Sequence, residues 1–140
     1  MYQINLHIEL LEEGNFHTIV IGSLNSLRMR MVLDTGASHS CIDAEIARTF
    51  FPELSISDME GVNAGIGGND FTVQMADFPN FFLGDFHLPL FKNLPIVDLT
   101  HINYAYRLLE RDPIQMILGN DFLIEHQAII NYQENLLYFN

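Results

Sequence analysis

The stretch MVLDTGASHSCID, Met31 to Asp43, decides how the chain is read. Residues of strand character run into Asp34-Thr35-Gly36-Ala37-Ser38, and the chain turns apolar again at Cys41 and Ile42. A carboxylate at the end of an apolar strand is expected to be shielded from water, where its charge is costly. The neighbours give it a use. Gly36 lets backbone approach the carboxylate with no side chain in the way. Thr35 can hydrogen-bond backbone across a symmetric contact, and Ser38 can donate to the carboxylate and steer it. The preceding strand is a rigid mount. One carboxylate is a modest catalyst, but two sharing a proton across a bound water act as base and acid together, because like charges about 3 Å apart cannot both ionise.

Around this stretch the chain of 140 residues reads as one domain, 1–140, long enough for a real core. It lacks a run of twenty apolar residues, so no membrane span is expected. Its start, MYQINLHIEL, has neither the basic opening nor the continuous apolar run of a secretion signal, which makes a cytoplasmic location the expectation. Eighteen acidic residues against six basic ones give a net charge of −12, with Lys92 the one lysine and the arginines scattered. No basic stripe is available to neutralise phosphates, and nucleic acid is a poor partner. Cys41 is alone, which excludes an internal disulfide. The six histidines contain no pair at metal-ligand spacing, so neither a metal nor a cofactor is expected.

Periodicity predicts mostly β structure. Ile4, Leu6, Ile8 and Leu10 alternate with polar residues as one half-buried strand. FHTIVIG (16–22) and the run Leu27 to Leu33 follow after short turns, completing an antiparallel meander. Asp43 can cap a short helix over AEIARTFF, and Pro52 ends it. The polar, glycine-rich stretch from Ser55 to Asp70 leads into the strand FTVQM and reads as a hairpin. FFLGDFHLPLF and LPIVDL are further short strands, THINYAYRLLERD has helical spacing, IQMILG is a strand closed by Gly119, and NDFLIEH has at most two helical turns. AIINYQENLLYF is a hairpin around Gln133 to Asn135.

Three motifs in this order resemble those of the retropepsin-like, single-lobe aspartic proteases: the apolar-apolar-Asp-Thr-Gly-Ala-Ser stretch, the glycine-rich AGIGGNDFTVQM, and MILGNDFLIEHQAIINY. Together they span most of the chain. The resemblance implies a closed β-barrel, the acid-protease single lobe, with two or three short helices. It implies an aspartic endopeptidase with Asp34 as the catalytic residue and Thr35, Gly36, Ala37 and Ser38 as its supporting loop. Ala37 would face a peptide or protein substrate, and Ser38 would hydrogen-bond Asp34. Gly65, Ile66, Gly67 and Gly68 would form the tip of a flap closing over bound peptide. Ile117, Leu118 and Gly119 would pack beneath the active-site loop. Two-lobed relatives carry two such loops in one chain, whereas here VDLT and GNDF lack the following glycine. The second aspartate is therefore expected from a second copy, with Asp34 against Asp34 on a two-fold axis.

Other uses of these residues are weaker. Gly65 to Gly68 lack the lysine and Ser/Thr of a nucleotide loop. His39 beside Ser38 has no third member for nucleophilic catalysis, and Cys41 reads as a small buried hydrophobe. Arg28 and Arg30 read as solvated or interface charges. The alternative of another class is a non-catalytic peptide-binding or scaffold module with the same fold.

Glycine alone takes positive φ without cost, and Gly67 sits where a hairpin tip bends. Gly67→Val is expected to lower peptide turnover roughly tenfold, about 1.4 kcal/mol of activation free energy, with little change in melting temperature. An ordinary loop tip would leave both unchanged, so turnover and thermal melts of the variant decide.

Overall fold

Alternating apolar residues make strands of most of the chain in the computed structural model, which describes residues 1–12, 14–59 and 73–140. The expected first strand is two. β1 (Tyr2–Asn5) and β2 (His7–Glu12) are divided at Leu6, which is buried and donates its N–H to the Asn135 carbonyl at 2.9 Å. The halves join different sheets, so the inward face is not shared. Ile8 and Leu10 are exposed, whereas Leu11, at a bulge in the pairing, is buried. β3 (Asn15–Leu24) and β4 (Leu27–Leu33) are linked by Asn25 and Ser26, both at positive φ (49° and 69°). A two-residue turn of that hand matches the twist of the strands it joins.

After the Asp34 loop come β5 (Cys41–Asp43), α1 (Ala44–Phe50) and β6 (Ser57–Met59). Asp43 stands at the N-cap of α1, but its side chain makes no capping bond; it is buried and accepts the Leu99 N–H at 3.0 Å instead. β7 (Val73–Leu83) and β8 (Phe86–Val97) form one long hairpin through Gly84, at φ 60°, where the sequence suggested several short strands. Phe78, Phe81, Leu83 and Leu94, all fully buried, line its inner face and hold it together over that length. α2 (Thr100–Leu108), β9 (Met116–Leu118), α3 (Asn120–Glu125), β10 (Ile129–Asn131) and β11 (Leu136–Phe139) complete the described elements. Among the described residues no helix is long and apolar enough to cross a membrane.

The larger sheet runs β2-β3-β4-β9-β5-β8-β7-β6, and β3 pairs additionally with β7. That pairing closes β3, β4, β9, β5, β8 and β7 into a six-stranded barrel, in a mostly β fold with three short helices. A second sheet of order β1-β11-β10 joins the first strand to the last two. The barrel core gathers Met29, Met31, Ile42, Phe78, Phe81 and Met116, each fully buried. A smaller cluster on the outer face of β3 and β4, under α2, contains Ile19, Val32, Cys41 and Tyr106.

Arg30 corrects its sequence reading as a solvated charge. It points into the space under α2, where its guanidinium meets the Glu9 carboxylate at 2.7 Å, the two side chains being 9% and 15% exposed. Its Nε also donates to the Pro113 carbonyl (3.3 Å), and Gln115 holds its backbone from both sides. Removing one partner from such a pair strands the other charge away from water. Glu9→Ala should therefore cost about 3 kcal/mol in urea unfolding, while Arg28→Ala, at an exposed position of the same strand, should cost under about 0.5 kcal/mol.

Candidate active site

β4 delivers Asp34 to the edge of the barrel. Met31, Val32 and Leu33 pair in parallel with Met116, Ile117 and Leu118 of β9, and the ladder ends with the Asp34 N–H donating to the Leu118 carbonyl at 3.0 Å. There the chain turns. The Ala37 N–H returns to the Asp34 carbonyl (3.1 Å), and the Gly36 N–H donates to Asp34 Oδ1 (2.9 Å). A Cβ on Gly36 would stand 3.2 Å from Oδ1, which is the close approach the glycine permits. Asp34 is half-buried, and no hydrogen bond to its Oδ2 is made among the described residues. One oxygen is thus fixed by backbone.

The loop beyond Asp34 is pinned by the start of α3. Asn120 donates from Nδ2 to the Thr35 carbonyl (2.7 Å) and from its backbone to the Ala37 carbonyl (2.8 Å). Asp121 donates its N–H to the Ser38 carbonyl (3.2 Å), and its carboxylate receives the Ser40 N–H (2.9 Å) and the Ser40 hydroxyl (2.7 Å). Ser40, fully buried, accepts the Gly119 N–H on the same hydroxyl at 2.9 Å. Charge-assisted bonds of this kind are about twice as strong as neutral ones, so Asp121 is the main fastening of the loop.

Of the residues singled out in the sequence, Asp34, Thr35, Gly36, Ala37 and Ser38 lie together in this loop, with Ile117, Leu118 and Gly119 behind it. Ser38 is exposed, and among the described residues its hydroxyl makes no bond to Asp34. Gly65, Ile66, Gly67 and Gly68, together with the hairpin read there, lie outside the described residues. Asn120, Asp121 and Ser40 went unread as parts of the site. The signal for them was the similarity of MVLD and MILG, which the structure lays side by side.

Asp34 opens onto a cavity of about 400 Å³. Its apolar walls include Phe16, Val32, Ile102 and Ile117, and Tyr132 and His17 add polar atoms. His17 Nδ1 and the Tyr106 hydroxyl share a 2.7 Å hydrogen bond. Burial pushes the Tyr106 phenol up to about 12, with the Glu9 carboxylate acting in the same direction. The phenol keeps its proton and anchors His17. Burial also pushes the Cys41 thiol up to about 11, and the nearby Asp121, Asp43 and Asp34 carboxylates add to the effect. Cys41 is therefore a packed thiol and not a nucleophile. Among the described residues no group of three or more His, Cys, Asp or Glu side chains could hold a metal ion.

Residues 20–122 match the sequence model of a family described as aspartyl protease. Two solved structures share the fold. The retroviral protease-like domain of Ddi1 from Leishmania major superposes with a TM-score of 0.55 at 16% identity, covering 87% of this chain and 86% of that one. A retropepsin-like aspartic protease from Rickettsia conorii does so with a TM-score of 0.55 at 19% identity, covering 99% and 90%. No curated protein sequence matches significantly.

Gly119 tests how tightly the loop is held. A Cβ there would lie 2.8 Å from the Ala37 oxygen and 2.8 Å from the His39 carbonyl carbon, backbone atoms that cannot swing aside. Gly119→Ala should cost about 1–3 kcal/mol in urea unfolding, because the Asp34 loop has to shift to admit the methyl group.

Proposed function

The chain belongs to the aspartyl protease family, and from that premise we propose that it is an endopeptidase acting as a homodimer through paired Asp34 side chains. The observation that carries the reading is the mounting of Asp34. It stands at the end of a buried parallel strand pair, has one oxygen fixed by Gly36, and faces a mixed polar and apolar cavity with the other oxygen unbonded among the described residues. A single chain offers one such carboxylate, and a second copy related by two-fold symmetry supplies the other.

In this reading a water lies between the two carboxylates, which share one proton. The unprotonated carboxylate takes a proton from the water as its oxygen attacks the peptide carbonyl carbon. The protonated one donates to the carbonyl oxygen as it becomes a hydroxyl. The tetrahedral intermediate then collapses: one carboxylate takes a proton from a hydroxyl of the intermediate as the carbonyl re-forms, the C–N bond breaks, and the other carboxylate gives its proton to the departing nitrogen, which leaves the pair with one proton again. Phe16, Val32, Ile102 and Ile117 favour an apolar substrate side chain beside the scissile bond. On sequence grounds alone, Gly65 to Gly68 are assigned the part of a cover over the bound peptide.

Asp34→Asn removes the proton-sharing group while keeping the side-chain shape. It should lower cleavage of a randomised decapeptide library on the order of a thousand-fold and leave the melting temperature near that of wild type. Cleavage at the wild-type rate would remove Asp34 from the mechanism. A wild-type protein that binds the library without cutting it would instead identify a peptide-binding module.

A further inference from the structure

His17 lines the Asp34 cavity, and the place of its ring proton follows from the residue behind it. Tyr106 is fully buried, so its hydroxyl meets no water, and burial keeps the phenol protonated. Among the described residues its hydroxyl has one hydrogen-bond partner, His17 Nδ1 at 2.7 Å. The Glu9 carboxylate nearby is not a second one: Oε1 is taken by Arg30, and Oε2 makes no hydrogen bond. A buried O–H that failed to donate would lose its hydration with nothing in return. The phenol therefore donates and Nδ1 accepts. An imidazole that accepts on Nδ1 carries its proton on Nε2. That nitrogen lies on the far side of the ring from Tyr106, and it makes no hydrogen bond among the described residues. The substrate cavity thus has a fixed N–H donor with no partner in its own chain.

We infer that His17 is a specificity-determining residue, donating from Nε2 to the side-chain carbonyl of a glutamine held in the Asp34 cavity beside the scissile bond. The inference rests on the peptidase reading above and narrows its apolar preference: Val32, Ile102 and Ile117 suit a methylene stem, and the polar groups select what stands at its end. A carboxamide brings an acceptor and donors on an uncharged head. Its carbonyl takes the His17 proton, and its NH2 has the hydroxyl oxygens of Thr18 and Tyr132, which line the same cavity 3.3 Å apart. Glutamate could accept from His17 as well, but it would set a further carboxylate beside Asp34 in a chain of net charge −12. Methionine fits the same walls and leaves the donor unpaired once water is expelled, which is the loss such a site discriminates by. Tyr106 touches no substrate in this scheme. It is a positioning residue that decides which nitrogen carries the proton.

The test begins with the cleavage sites in the decapeptide library, read by mass spectrometry. Peptides built on the best-cut sequence then carry glutamine, glutamate or methionine at each position flanking the scissile bond. At one of these positions wild type should cut the glutamine peptide with a kcat/KM roughly tenfold above that of the methionine peptide, and above that of the glutamate peptide. His17→Phe should bring the glutamine-to-methionine ratio to about one. Tyr106→Phe, which frees the tautomer, should lower the ratio roughly threefold, and circular dichroism checks that both variants fold. A merely structural role for Tyr106 would lower both rates and leave their ratio alone. Wild type cutting methionine and glutamine peptides equally well, or His17→Phe keeping the wild-type ratio, overturns the inference and leaves the Asp34 reading intact. Equal losses on both peptides in His17→Phe would put His17 against the peptide backbone and overturn the glutamine assignment. A library left uncut by wild type overturns both readings.

Discussion

Parallel strands cannot be joined by a tight turn, so β4 and β9 meet only because the chain between them builds a barrel around the pair. β5 lies antiparallel to β9 on its far side, β8 parallel to β5, and β7 returns to β3 to close the ring. Every feature of the site follows from that adjacency. The Asp34 N–H finds the Leu118 carbonyl, Gly119 fits beneath Ala37 and His39, and the first residues of α3 come within reach of the loop. Asp121 then gathers the Ser40 hydroxyl and N–H. The Asp34 loop is thus held by backbone on one side and by a second aspartate, Asp121, on the other.

The polar groups near the site divide by environment. Under α2, Glu9 answers Arg30 and Tyr106 answers His17, so burying them leaves few needs unmet. Burial keeps Cys41 protonated next to the loop, which removes a competing nucleophile without removing its bulk. Asp34 differs in being half-exposed to solvent; among the described residues its Oδ2, like the buried Oε2 of Glu9, takes part in no hydrogen bond.

The strands and the Asp34 loop were legible because both are local. Alternation over a few residues shows a strand, and Asp-Thr-Gly-Ala-Ser packs a carboxylate, a close-approach glycine and small residues into one turn. The fastening of that loop was not legible. Ser38 is nearer to Asp34 in sequence, yet it is Ser40 that is buried and bonded, because its partner Asp121 arrives on α3 from the other end of the chain. Arg30 was misread for the same reason: only the arrival of Glu9 and the Pro113–Gln115 segment makes a charge in that strand tolerable. Ile8 and Leu10 obey strand periodicity but face the opposite way from the expectation. Period 2 says that two faces differ, and which one turns inward is settled by the neighbouring layer.

The small sheet has a consequence for how the molecule is made. β1 lies against β11, with Tyr2 opposite Phe139 and Asn5 opposite Leu136. On a ribosome the first strand of this chain emerges long before its partner has been synthesised, and Leu6 likewise waits for the carbonyl of Asn135. The β2–β3–β4 meander, whose contacts are local, can form during elongation. Sealing the base of the molecule has to follow release of the last strand. Contacts of such long sequence separation slow folding, so the nascent chain carries an unpaired strand edge for much of its synthesis, in the form most open to capture by a chaperone or by a neighbouring chain.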